Sequence, residues 1–309
     1  MPKLGPDHLR GIYAILPTPF NADLSVDYGS LESIVDYCVA CKVHGIVTPA
    51  NASEQPMLMD AEREKIIDVV VKKTAGRIPV VAGVTAVNAY AATYFARSAC
   101  AMGADALMAM PPYLFKASSN VIARYYAAID QVSNMPIIIQ NYGGVPTGTQ
   151  MSPSEMLDIC DQSENIVMIK EECQYSSQLI SNTLAMANQR QGCKLIGIMG
   201  GKAGKYIIEE YMRGAIGNMP ACEIADVHVK IWNLCEKGDL AAAQKILDCV
   251  QPLLNFEAIY GSQCYKEVLR DRGVISTAYS RSVNGQPLDD YDHKELDRIM
   301  EAIKPQFEV

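Results

Sequence analysis

The chain has 309 residues, 49% of them hydrophobic and 20% charged, the profile of a globular protein with room for a large core. A formal net charge of −8 argues against nucleic acid or an anionic membrane as the main partner, and leaves open an anionic small molecule held by a local site. No apolar run reaches membrane-spanning length and residues 1–5 do not open a signal-peptide core, so a cytoplasmic location is the default expectation.

Strand-like and helix-like segments alternate along the chain. Residues 11–17 (GIYAILP) read as a first strand. Apolar residues at helical spacing (Leu31, Ile34, Val35, Cys38) predict a helix over 31–41, followed by a short strand at 45–48. A helix over 61–73 is expected to be N-capped by Asp60, with Glu62 in the first turn, where the helix dipole favours an acid. A strand at 78–84 (IPVVAGV) and a small-residue helix at 89–101 come next. A strand at 106–110 leads into Pro111-Pro112-Tyr113, then a helix over 120–132 and a strand at 136–140 (PIIIQ). The helix at 152–160 carries Pro153 in its first turn. A strand at 166–170, helix at 177–188, strand at 195–199, helix at 205–212 and strand at 215–219 complete the series.

Eight such units with short, continuously apolar strands predict an α/β fold, a (β/α)8 TIM barrel. An open doubly wound sheet would be expected to carry a Gly-rich turn after its first strand, where this chain has Pro17-Thr18-Pro19-Phe20. Beyond Cys222 the strand signals cease, and 224–236, 240–254, 265–271 and 294–303 read as helices. Residues 1–222 are therefore assigned to the barrel. Residues 223–309 are assigned to its last helix plus a C-terminal helical extension, in one structural unit without a flexible linker.

In such barrels the active groups sit at the C-terminal ends of the strands. Lys170 ends the sixth strand, behind an apolar run. A charged amine there is costly unless paired or at work. Desolvation lowers a lysine's pKa, and a neutral amine attacks carbonyls. The competing reading is a lysine that snorkels to the surface. Glu172, two residues on, shares the strand face of Lys170, and a carboxylate beside an imine can move protons. Alternatively Glu171 and Glu172 cap the next helix or pair with a surface base. Lys116, in a loop, and Lys194, at the opposite barrel face, are expected to be solvated.

Asn51-Ala52-Ser53-Glu54 forms a small-residue turn after the second strand. Its backbone N–H groups, with the Ser53 hydroxyl and the Asn51 amide, make either an anion pocket or a plain polar-capped turn. Tyr113, Gln140 and Gly200 stand at the ends of the fourth, fifth and seventh strands. Ten cysteines are scattered; Cys100, Cys160, Cys235 and Cys249 read as buried thiols, and Cys38-Val39-Ala40-Cys41 lies in a helix without a partner pair. His8, His44, His228 and His293 lack metal-ligand spacing, so no metal site is expected.

In their order and spacing these motifs resemble the dihydrodipicolinate synthase / N-acetylneuraminate lyase superfamily of class I Schiff-base lyases, over essentially the whole chain. Residues 50–54 (ANASE) match the family's carboxylate-holding turn, Pro111-Pro112-Tyr113 its strand-4 exit, and Ile169-Lys170-Glu171 the strand-6 motif that bears the lysine. The resemblance implies catalytic roles for Lys170, Glu172 and Tyr113, and substrate contacts from Asn51, Ala52, Ser53, Gln140 and Gly200. It also implies a small 2-keto acid substrate, no cofactor beyond the lysine imine, and a homo-oligomer, tetramer or dimer.

The departures narrow the expectation. Gln140 occupies the slot of the family's proton-shuttling tyrosine, and a glutamine cannot exchange a proton. The loop at 144–147 (GVPT) lacks the synthase's arginine, and Leu114 replaces a second tyrosine. This combination is most similar to the sugar-acid dehydratase branch, which includes L-2-keto-3-deoxyarabonate dehydratase. There the glutamate two past the lysine is the acid/base, here Glu172. Dehydration of a 2-keto-3-deoxy sugar acid is the expectation. A class I aldolase releasing or condensing pyruvate, and a non-catalytic effector-binding barrel, are the alternatives.

Overall fold

Segments of four to seven residues that open on apolar runs pair in parallel, in chain order, into a closed barrel: β1 (Gly11–Ile15), β2 (Gly45–Thr48), β3 (Val80–Gly83), β4 (Ala106–Ala109), β5 (Ile137–Tyr142), β6 (Ile166–Glu172) and β7 (Gly197–Gly200), closed on β1 by the two-residue β8 (Gly217–Asn218). The computed structural model describes residues 8–144, 150–282 and 286–309; residues 1–5 and 145–147, which carried expectations above, lie outside the described residues. Helices α1 (Tyr28–Ala40), α2 (Asp60–Thr74), α3 (Ala89–Met102), α4 (Ser119–Asp130), α5 (Pro153–Asp161), α6 (Ser176–Asn188), α7 (Ile207–Met212) and α8 (Ala225–Glu236) follow the strands in turn. After them come α9 (Leu240–Tyr260), α10 (Ser262–Asp271) and α11 (Asp290–Ile303). The fold is the expected (β/α)8 barrel with C-terminal helices.

Strands covered on both faces bury every residue, as β1 to β4 do. Tyr13, Val47, Val81, Met108, Ile138, Met168 and Met199 point inward and fill the barrel. The outward residues pack under the helices. Helix α9 enters the same core as β1 and α1 through Leu247, Val250, Leu253 and Leu254. Among the described residues no helix is long and apolar enough to cross a membrane.

Several boundaries shift for physical reasons. Asp60 is the first residue of α2 rather than its cap; Glu62 reaches back to the Met59 N–H at 2.9 Å and does the capping. Helix α9 runs past the expected end at 254, through Pro252 to Tyr260, and stops at Gly261. Proline inside a helix removes one hydrogen bond, and here buried Leu253, Leu254 and Phe256 hold the helix together across it.

The decisive local feature is in β6. Its pairing with β5 runs Ile137↔Ile166, then Ile138↔Met168, so Val167 is an extra residue. A bulge of one residue inverts the inside/outside alternation beyond it. From there on Met168, Lys170 and Glu172 face the barrel axis, while Ile169 and Glu171 face the helices.

Candidate active site

Lys170 is 1% exposed, and its Nζ lies 3.0 Å from Glu172 Oε2. The same carboxylate oxygen accepts a hydrogen bond from Gln140 Nε2 at 2.7 Å, and Oε1 faces the Lys202 backbone N–H at 3.3 Å. Strand register explains the grouping, because Gln140 is paired with Lys170 and Tyr142 with Glu172. Gln140 therefore touches Glu172 and does not line the cavity; its amide orients the carboxylate.

Glu171 points the other way. It accepts from Asn141 Nδ2 and from the Cys173 N–H, both at 2.8 Å, and burial pushes its pKa up against those bonds. Neither glutamate caps α6, whose first turn begins after Tyr175 without a side-chain cap.

Lys170 and Glu172 lie on the wall of a cavity of about 530 Å³ at the C-terminal mouth of the barrel. Asn51 and Ala52 line it, from a 3-10 turn over Asn51–Ser53. The Asn51 Nδ2 group is buried with no hydrogen-bond partner among the described residues. Ser53 does not line the cavity. Its hydroxyl donates to the Leu16 carbonyl at 2.6 Å and accepts from the Ala50 N–H at 3.0 Å, so it staples the turn to β1.

Gly200 likewise contributes room rather than contact. A Cβ there would fall 1.7 Å from Glu210 Oε2, and at Gly201 2.4 Å from Glu172 Oε1. Glu210 is held by Ser176 Oγ at 2.9 Å and Asn218 Nδ2 at 2.8 Å, and burial raises its pKa to about 8. Tyr113 is half-buried outside the cavity lining, close to the Arg63 guanidinium and Tyr125. The structure thus gathers Lys170, Glu172, Asn51 and Ala52 at the cavity, with Gln140, Ser53 and Gly200 supporting them, and leaves Tyr113 apart.

Other lining residues were not foreseen. Tyr142 lies two positions past Gln140 on the same strand face, and burial with the Glu172 carboxylate raises its pKa. The period-two rule that selected Glu172 would have found it. Lys202, Ala203, Lys205 and Tyr206 come from the β7–α7 turn, where Lys202 and Ala203 hold left-handed backbone at φ 51° and 57°. Such strain gathers at functional sites. Glu257 and Tyr265 arrive from α9 and α10. No motif in the linear chain ties these to Lys170.

The lysine rivals are placed as expected: Lys194 pairs with exposed Glu164 at 2.6 Å, and Lys116 is exposed. The ten cysteines are free thiols, with Cys100 and Cys249 only partly buried. Among the described residues no group of three or more His, Cys, Asp or Glu is placed to hold a metal ion.

Comparison with known proteins agrees in sequence and in shape. The family model described as "Dihydrodipicolinate synthetase family" matches residues 8–306. A 4-hydroxy-tetrahydrodipicolinate synthase of Bartonella bacilliformis is 27% identical over 247 residues, covering 79% of this chain and 81% of the relative. An uncharacterized DapA-like lyase of Rhizobium meliloti is 28% identical over 265 residues, covering 84% of each. The crystal structure of a dihydrodipicolinate synthase from Rhodopseudomonas palustris superposes with a TM-score of 0.88 at 27% identity, over 97% of this chain and 99% of that one.

Proposed function

The chain belongs to the dihydrodipicolinate synthetase family of lyases, and from that premise and the cavity's geometry we propose that it dehydrates a 2-keto-3-deoxy sugar acid through an imine on Lys170. The observation that carries this reading is the Lys170–Glu172 contact of 3.0 Å on the cavity wall, with Gln140 in the strand-5 slot next to it.

Transfer of one proton from the Lys170 ammonium to Glu172 leaves a neutral amine. The amine attacks C2 of the keto acid, whose carboxylate lies on the Asn51–Ala52 turn. Glu172 then protonates the carbinolamine oxygen, which departs as water and leaves the iminium. The iminium withdraws electrons and acidifies C3, and Glu172, again a carboxylate, removes the C3 proton. The enamine expels the C4 hydroxyl, to which Glu172 returns the proton, so a second water leaves. Water finally hydrolyses the imine and releases a keto acid one water poorer than the substrate. The imine supplies the electron sink, so the reading calls for no further cofactor. Gln140 keeps one Glu172 oxygen aimed at the reacting centre. Tyr113 enters only from outside this cavity; exposed Leu114 and Phe115 beside it suit cover by a second copy in a homo-oligomer, in a cytoplasmic enzyme.

Tyr142 favours a second reading. A cavity phenol beside Glu172 can pass its own proton to the Glu172 carboxylate as it takes the proton of a C4 hydroxyl, which converts the same imine to aldol cleavage with release of pyruvate. Borohydride trapping with pyruvate, read by mass spectrometry, tests both: absence of an adduct on Lys170 would sink them together. A screen of 2-keto-3-deoxy sugar acids scored for water loss against pyruvate release separates them.

A further inference from the structure

The cavity has a second acidic group besides Glu172, far from Lys170 in sequence. Glu257, on the unforeseen last turns of α9, lines the cavity, and its side chain meets Glu223 from the loop after β8. Glu257 is 2% exposed and Glu223 0%. The two carboxyls lie close together, and burial raises the pKa of both. All four of their oxygens are buried without a hydrogen-bond partner among the described residues.

The neighbouring cations are engaged elsewhere. Arg272 is bidentate to Asp226 at 2.9 and 2.8 Å, and Lys205 reaches Asn255 Oδ1 at 3.3 Å. Buried acceptors without donors are costly, and an apolar pair would pack there more cheaply. The arrangement is suited to a guest that brings donors. Tyr265, in the same lining, lies within electrostatic range of both Glu172 and Glu257, so the reacting end and the acidic end belong to one cavity.

We propose that the Glu257 carboxyl, backed by Glu223, is the subsite that accepts the distal hydroxyl groups of the 2-keto acid held at Lys170; this rests on the imine reading above. Its unfilled oxygens are acceptors, so it takes hydroxyls and repels a distal carboxylate. That selects a polyhydroxylated chain over a dicarboxylate of equal length.

The test is the ligand concentration that half-saturates borohydride inactivation, measured with pyruvate, 2-ketoglutarate and 2-keto-3-deoxyarabonate. The wild-type protein is expected to half-saturate with the deoxy sugar acid at a concentration at least about tenfold below that of either other acid. Glu257→Gln is expected to erase that preference while leaving the pyruvate value within about twofold, which also reports an intact site. Equal values for all three acids in the wild type would overturn the subsite, whether or not the variant folds. So would a variant that keeps the preference or weakens pyruvate equally. Adducts without preference defeat the subsite alone, whereas no adduct with any acid defeats the imine reading beneath it.

Discussion

Lys170 and Lys266 are both buried lysines, 1% and 0% exposed, and each meets a glutamate carboxylate. Lys266, on α10, donates to Glu54 and to the Tyr279 carbonyl at 2.9 Å, and sits 4.3 Å from the centre of the Phe20 ring. Glu54 also accepts from Ser280 Oγ at 2.9 Å and the Arg281 N–H at 2.7 Å. Every group there is satisfied by the protein. Burial pushes the Lys266 pKa down to about 8 while Glu54 pulls it back. Lys170 has Glu172 as its polar partner and a cavity on its open side. Burial of an ion pair is thus no mark of catalysis by itself. What separates the two is space for a reactant and coordination left unfilled.

The Lys266 pair still serves the site at a distance. Glu54 holds left-handed backbone at φ 56° directly after the Asn51–Ser53 turn. Non-glycine residues adopt that conformation at a cost on the order of 1–2 kcal/mol, which the contacts from the C-terminal extension offset. Arg281 adds a bond to Glu62 of α2 at 2.6 Å.

Lys170→Met should show the largest effect, with turnover falling to background and no borohydride adduct, while urea melts show a stable fold. An adduct on Lys266 or another lysine would dissolve the distinction drawn here. Glu172→Gln comes next: a fall in kcat of roughly 10² to 10⁴ is expected, with the pyruvate adduct on Lys170 still formed but more slowly, because water must replace Glu172 in the proton transfers of imine formation. Full activity would remove Glu172 from the mechanism.

Lys266→Met should do the reverse. It leaves Glu54 buried without its cation, so a loss of about 3–5 kcal/mol in chemical denaturation is expected, with the adduct on Lys170 still formed by the folded fraction. Unchanged stability would show that Glu54 does not need the charge.

The smallest effect concerns Glu210, a buried carboxyl with no lysine hydrogen-bonded to it among the described residues. Its pKa rises from the usual 4.5 to about 8 on folding, so between those values the folded state holds a proton that the unfolded chain has lost. Its stabilising share is complete below pH 4.5 and is lost as pH rises towards 8, at no more than about 1.4 kcal/mol per pH unit. Urea melts at pH 5.5 and 7.5 should show that slope reduced in Glu210→Gln; an identical slope would mean the carboxyl is ionised in the fold.

Much of the site's first half was legible in the chain. The apolar run before Lys170, the turn at Asn51–Ala52 and the spacing to Glu172 are local patterns, and local patterns survive in sequence. Tyr142 obeys the same period, two positions past Gln140. Gly200 and Ser53 read in the chain as substrate contacts, whereas in the fold their work is steric and structural. Only the packing of Glu210 behind Gly200, and of Leu16 under Ser53, reveals it.

The sequence by itself determined the barrel, since eight short apolar strands separated by helices have few other ways to bury both faces. It also determined that a lysine stands at the C-terminal end of a barrel strand. Tertiary structure alone decided which way the side chains point and what faces them. The extra residue at Val167 turned Lys170 and Glu172 inward, and a continuous apolar run carries no trace of that parity. The second acidic group came from Glu257, backed by Glu223, both more than fifty positions past Lys170, because closing the barrel and folding α9 back over its mouth brings distant residues within reach. Local physics writes the elements into the chain, whereas the cavity is the space left between them and exists only once they pack.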